Sequence, residues 1–143
     1  MLCGSQEGSI AFWEYILGTL GTANPTCHLM GTAGTPAHSW TLATYAALQL
    51  PLANGYAPIV LTNPGANWTV GATGAGASAV HTPLSWTFTG ALTVYGYYLS
   101  DDTHNISWFG EEFAAPFTFP SIGGLFQLIL PPYLISCPGV SAC

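Results

Sequence analysis

The stretch SWTFTGALTVYGYYLSDD, residues 85–102, decides the fold. In SWTFT, Trp86 and Phe88 point one way while Ser85, Thr87 and Thr89 point the other, the period-two pattern of a half-buried strand. ALTVYGYYLS, residues 91–100, continues as a second strand, with Gly96 placed for a bulge or a close backbone approach. DDTHN, residues 101–105, is a turn cluster, because Asp and Asn side chains bond nearby backbone and tolerate left-handed conformations. ISWFGEEF, residues 106–113, then returns as the second arm of a hairpin.

Outward from that hairpin, the β pattern runs from residue 55 onward. GYAPIVLT reads as a strand whose Pro58 marks an edge or a start. NPGA is a turn, NWTVGA a short strand and TGAGASA a flexible loop. FTFP and LFQLILPPYLI supply the last strands. Upstream, NPTCHLM, residues 24–30, reads as a short strand and GTAGTPAHSW as a loop. TLATYAALQL, residues 41–50, suits either a short helix or an irregular arm. Residues 6–20 hold the best helix pattern: Ser9 is a candidate N-cap, and Ile10, Trp13, Ile16, Leu17 and Leu20 recur at helical spacing.

Short strands with turn signals every ~8–12 residues predict a mainly β chain, an antiparallel β-sandwich or barrel-like domain with one short N-terminal helix. At 143 residues we expect a single domain over 1–143. It divides into a helical segment (1–23), a strand plus loop or arm (24–54), a β core (55–136) and a C-terminal tail (137–143).

The chain contains no Lys or Arg, six Asp and Glu, and a formal charge of −6. Only 4% of residues are charged, against roughly a quarter in ordinary domains, so Ser, Thr, Asn and backbone must solvate the surface. Phosphate recognition needs cations or a loop feeding a helix N-terminus, which argues against nucleic acid as a partner. The same sign opposes attraction to anionic membranes. SIGGLFQLILPPYLIS, residues 121–136, is broken by Gly123, Gly124, Pro131 and Pro132, and no unbroken apolar run reaches the ~18 residues of a spanning helix. The start, MLCGSQEGSIAFW, lacks the positive region of a secretory signal.

Four cysteines, Cys3, Cys27, Cys137 and Cys143, admit two disulfides in three pairings, or free buried thiols in a reducing compartment. Cys27-His28 is not a zinc motif, since no second ligand lies two to four residues away. Asp101-Asp102 with His104 lacks the alternating acids and Gly of a calcium loop and reads as a solvated hairpin tip. The four His residues and the acids give Ser-His-Asp sets only on paper, with no G-x-S-x-G elbow, so we expect no enzyme, no catalytic residue, no metal and no cofactor. Asn67-Trp-Thr and Asn105-Ile-Ser match the glycosylation sequon by chance among many Ser and Thr.

The order of elements carries a resemblance. ILGTLGTANPTCHL at 16–29, NGYAPIVLTNPGANWTV at 54–70 and LSWTFTGALTVYGYYLSDDTHNISWFGEEF at 84–113 resemble a group of small tailed-bacteriophage virion proteins, tail fibre-like or virion structural. The resemblance implies a β-sandwich component of a virion, built from strand order and turns rather than a catalytic signature. Members of that group usually carry some Lys and Arg, a pattern from which this chain departs. An acidic, cation-free protein would be repelled by packaged nucleic acid, which directs the expectation to the outer capsid surface or the tail.

The expected function is therefore a capsid decoration, or cement, protein that stabilises contacts between capsid subunits. The expected partners are the major capsid protein or another virion protein and sibling chains, a trimer being the expected oligomer. The alternative is a tail-fibre or baseplate component that binds carbohydrate on a host surface. Candidate partner contacts are Trp13, Trp40, Asp101, Asp102, Glu111 and Glu112, with the acids facing a basic patch and Trp40 a candidate sugar platform.

Overall fold

A computed structural model of the chain describes residues 25–37, 39–61, 67–73, 76–102, 106–131 and 133–136. Along them run β1 (Thr26–Met30), α1 (Leu42–Ala46), β2 (Ile59–Val60), β3 (Trp68–Thr73), β4 (Gly76–His81), β5 (Leu84–Phe88), β6 (Leu92–Asp101), β7 (Ile106–Phe119), β8 (Gly124–Leu128) and β9 (Tyr133–Ser136). The chain is mainly β, and all its strand pairs are antiparallel. The helix expected over residues 6–20 lies outside the described residues.

Two compact units interleave in sequence. One holds β3, β4 and β9, paired in that order. Its β3–β4 hairpin runs in unbroken register from Trp68↔His81 to Thr73↔Gly76. This corrects the flexible loop expected over residues 73–79. Gly76, Ala77, Ser78 and Ala79 look loop-like because they are small, yet their backbone bonds both β3 and β9.

The other unit holds a four-stranded sheet, β2-β1-β6-β7, and a two-stranded sheet, β5-β8. β5 alternates buried and exposed as its sequence predicts, with Leu84, Trp86 and Phe88 inside and Ser85 and Thr87 outside. β8 pairs with it from Leu84↔Leu128 to Phe88↔Gly124, and Phe126 comes directly opposite Trp86. Phe126 is then ringed by Trp86, Phe88, Phe113, Phe117 and Phe119 at centroid separations of 5.4–6.3 Å. Separations of this size suit tilted and edge-on aromatic packing.

β1 is an inner strand with β2 and β6 on its two edges, and its burial at all five successive positions means that both of its faces are covered. The expected border between an arm over 24–54 and a core from 55 is thus not a border: β1 is an inner strand of the same sheet as the long hairpin. The ambiguous stretch after Trp40 forms one short helix, α1, capped by Thr41, whose hydroxyl accepts from the Thr44 N–H. Residues 48–50 then run beside β1, with Gly31 N–H bonded to Leu48 O and Leu50 N–H to Leu29 O, both at 2.8 Å. Tyr45 from α1 packs with Met30 and Tyr98, and Trp40, Leu42 and Leu48 pack around them.

The strand expected over 55–62 shrinks to Ile59–Val60. Asn54 and Gly55 take positive φ values of 53° and 80°, and Tyr56 N–H closes the turn on Ala53 O at 2.9 Å. Both central residues being left-handed makes this a type I′ turn, which Asn-Gly favours because Gly has no Cβ to clash.

The β6–β7 hairpin has two irregularities. Val94 pairs with Phe117 while Gly96 pairs with Glu112, so residues 113–116 of β7 stand opposite Tyr95 alone. Of the bulge or close approach expected at Gly96, the residue itself shows the close approach, since a Cβ there would meet the Glu111 carbonyl, and the extra residues lie on β7. Pro116 falls inside that excursion, where it forfeits no ladder bond. A second shift leaves Trp108 as the extra residue between Leu99↔Phe109 and Ser100↔Ser107. FTFP is not a separate strand, since Phe117, Thr118 and Phe119 are the end of β7, paired with Val94, Thr93 and Leu92.

Candidate functional site

The β1–β6 register brings His28 opposite Tyr98, with Ser100 two residues further along β6 and Asp102 just past its end. The imidazole stacks on the Tyr98 ring at 4.6 Å with planes 3° apart. Its Nε2 lies 2.9 Å from Ser100 Oγ and 3.3 Å from Asp102 Oδ2. Ser100 Oγ donates to Asp102 Oδ1 at 2.5 Å. With the serine proton committed to the carboxylate, Ser100 Oγ accepts from His28, which assigns the ring proton to Nε2. The buried Nδ1 has no hydrogen-bond partner among the described residues, as an unprotonated ring nitrogen can tolerate.

A serine nucleophile needs the opposite arrangement, with the histidine taking the hydroxyl proton and the acid holding the far ring nitrogen. Here His28 meets Ser100 and Asp102 through one nitrogen, and Ser100 is fully buried. The trio is a structural polar knot that ties β1 to the end of β6. Tyr98 extends it, its hydroxyl donating to Gln49 Oε1 at 2.9 Å, and Tyr56 OH accepts the Leu29 N–H at 2.9 Å. Burial pushes both phenols above their ordinary pKa.

Burial lowers the His28 pKa, and the Asp102 carboxylate opposes that shift without cancelling it. The unfolded chain therefore takes up this proton at higher pH than the folded one. Stability from the neutral ring is complete above the unfolded pKa of about 6.5 and declines as pH falls toward the lower folded value. We expect urea unfolding midpoints to fall between pH 7.5 and pH 5, with a slope of at most ~1.4 kcal/mol per pH unit from this single proton. His28→Asn should flatten that slope whatever its effect on absolute stability. An unchanged slope would mean that His28 does not titrate on unfolding.

Each of the described acids has an internal hydrogen-bond partner. Glu111 and Glu112 pair with Tyr97 and Gly96, well back from the Asp101↔Ile106 pair at the hairpin tip. Glu112 clamps the 33–36 loop, accepting from Gly34 N–H at 3.1 Å and Thr35 Oγ1 at 2.8 Å. Glu111 is exposed and accepts from Tyr97 OH at 2.9 Å. Asp102 belongs to the knot. Asp102, Glu111 and Glu112 thus have different partners.

Trp40 is half-buried, its ring edge-on to Tyr45 at 5.0 Å, so it is a packing residue rather than an exposed platform. Cys27, a candidate for a disulfide, is a free and fully buried thiol, and desolvation raises its pKa far above the ordinary value. Trp13, Cys3, Cys137, Cys143 and the side chain of Asp101 lie outside the described residues.

The excursion at residues 113–116 and the clamped loop together leave an open groove of about 680 Å³, walled by Pro36, Tyr95, Glu111, Phe113 and Pro116. Sequence reasoning missed it, though Ala-Ala-Pro inside a strand is the signal for such an excursion. In the other unit, Trp68 and His81 meet edge-on at 4.8 Å. His81 Nδ1–H donates to Thr82 O at 2.6 Å, and its buried Nε2 and the Trp68 Nε1–H have no partner among the described residues. Among the described residues no three His, Cys, Asp or Glu converge to hold a metal, and no helix is long and apolar enough to cross a membrane.

The fold and the site define a mainly β chain whose histidine, serine and most of whose resolved acids are spent on internal ties. No protein-family model, curated protein or solved structure matches it.

Proposed function

We propose that the chain is a non-enzymatic virion structural protein, a capsid decoration protein that sits on the outer shell and stabilises contacts between capsid subunits. The observation that carries this reading is apolar surface without cations. Leu52, Ile122 and Leu125 are 70%, 87% and 64% exposed, and Val60 and Phe117 are also open, on a chain with no Lys or Arg. Such side chains gain roughly 25 cal/mol for each Å² covered by a neighbour, before association costs. The order of strands and turns adds the resemblance to phage virion proteins, and the acidic charge favours a surface away from packaged nucleic acid.

The test is copy number in purified particles by quantitative mass spectrometry. Hundreds of copies per particle, with stripped shells regaining heat resistance when the chain is added back, is the expected result. A handful of copies would transfer the chain to the tail fibre or baseplate, and its absence from particles would end the virion reading. Ile122→Ser with Leu125→Ser should weaken reattachment while leaving the thermal midpoint of the free chain nearly unchanged, because exposed positions contribute within about 0.5 kcal/mol to folding.

A further inference from the structure

We propose that the groove between the 33–36 loop and the β7 excursion receives a cationic side chain, Arg or Lys, from a different protein. The inference rests on the reading of this chain as a binding component and names the chemistry of its partner. Three observations carry it.

The groove is built rather than incidental. Four residues, 113–116, stand out opposite Tyr95, and the facing loop is held by both carboxylate oxygens of Glu112. Its lining includes two aromatic residues, Tyr95 and Phe113, the exposed Glu111, and Pro36 and Pro116. Aromatic faces and a carboxylate attract a guanidinium or ammonium group and offer nothing to an anion. Glu111 spends only Oε2 on Tyr97, which leaves Oε1 facing no other hydrogen-bond partner among the described residues.

Charge then selects the occupant. The chain has no Lys or Arg, so no second copy can present either side chain to the groove. The cation must come from a heterologous surface. Tyr95 also walls a second groove of about 480 Å³, between Asn54 and Thr93. A partner segment longer than one side chain therefore has room in a second groove that shares Tyr95.

The experiment titrates the isotope-labelled full chain with N-acetyl-arginine amide and with the uncharged N-acetyl-citrulline amide, read by backbone amide shifts. The expected result is shifts at Tyr95 and residues 110–114, with arginine binding about threefold or more tighter than citrulline. Glu111→Gln should erase that preference. Its amide oxygen can still accept from Tyr97, so the fold is kept, which an unchanged spectrum elsewhere verifies. Equal titration by both probes, shifts confined to other surfaces, or equal titration by maltotriose at these amides would overturn the proposal. The two readings fail separately. Shells that bind Glu111→Gln as tightly as the unaltered chain would sink the groove and spare decoration. A chain that binds no shell but still prefers arginine in the groove would sink decoration alone.

Discussion

Phe126→Ala is expected to lower the unfolding free energy by about 3–5 kcal/mol, the range for deleting a buried aromatic side chain. Phe126 is 5% exposed and lies in contact with five other aromatic rings from β5 and β7. Its removal leaves no single neighbour able to fill the space, because Trp86 and Phe88 are held by the β5 ladder and Phe113, Phe117 and Phe119 by β7. The transfer loss and the residual cavity then add. Phe126→Leu, which retains much of the volume, should cost markedly less. Denaturant unfolding followed by near-ultraviolet circular dichroism reads both. A loss below about 1 kcal/mol for the alanine variant would show that the cluster collapses without cost and that the stability of this unit resides elsewhere.

A comparable loss is expected from Gly123→Ala. Gly123 closes the turn between β7 and β8, donating to Pro120 O at 2.8 Å with a φ of 76°. An L side chain there costs roughly 1–2 kcal/mol in the left-handed region. A Cβ would also meet the Phe88 carbonyl, which is backbone and cannot rotate away. That overlap adds roughly 1–3 kcal/mol of overpacking. Gly71→Ala is the matched control, because a Cβ on Gly71 meets nothing within 4 Å. It should be neutral or slightly stabilising, since Gly in a strand loses more backbone entropy than Ala. Equal effects of the two substitutions would refute the steric argument.

Strand type and the inner face of β5 were legible because one face meets water. There Ser85 and Thr87 alternate with Leu84, Trp86 and Phe88, and the burial follows. β1 was legible as a strand but not as an inner one. All five of its positions are buried, and its His28 finds a partner across the sheet in Ser100. The His28 knot had one local signal, Ser100 and Asp102 two apart at the strand end. Its third member comes from 72 residues away and is placed only by the register of β1 on β6. Glu111 and Glu112 read as a pair because they are adjacent. Both border the same groove, yet their partners differ: Glu112 clamps the 33–36 loop and Glu111 accepts from Tyr97.

What the amino-acid sequence by itself determined is the β character, the alternation of β5 and a surface that carries no Lys or Arg. These follow from residue type, local alternation and local backbone preference. The tertiary structure alone decided which polar residues are consumed in internal ties, where β7 departs from its partner and which acid remains open to solvent. Those outcomes depend on strand register, and register is a property of pairs of segments distant in sequence, not of either segment alone.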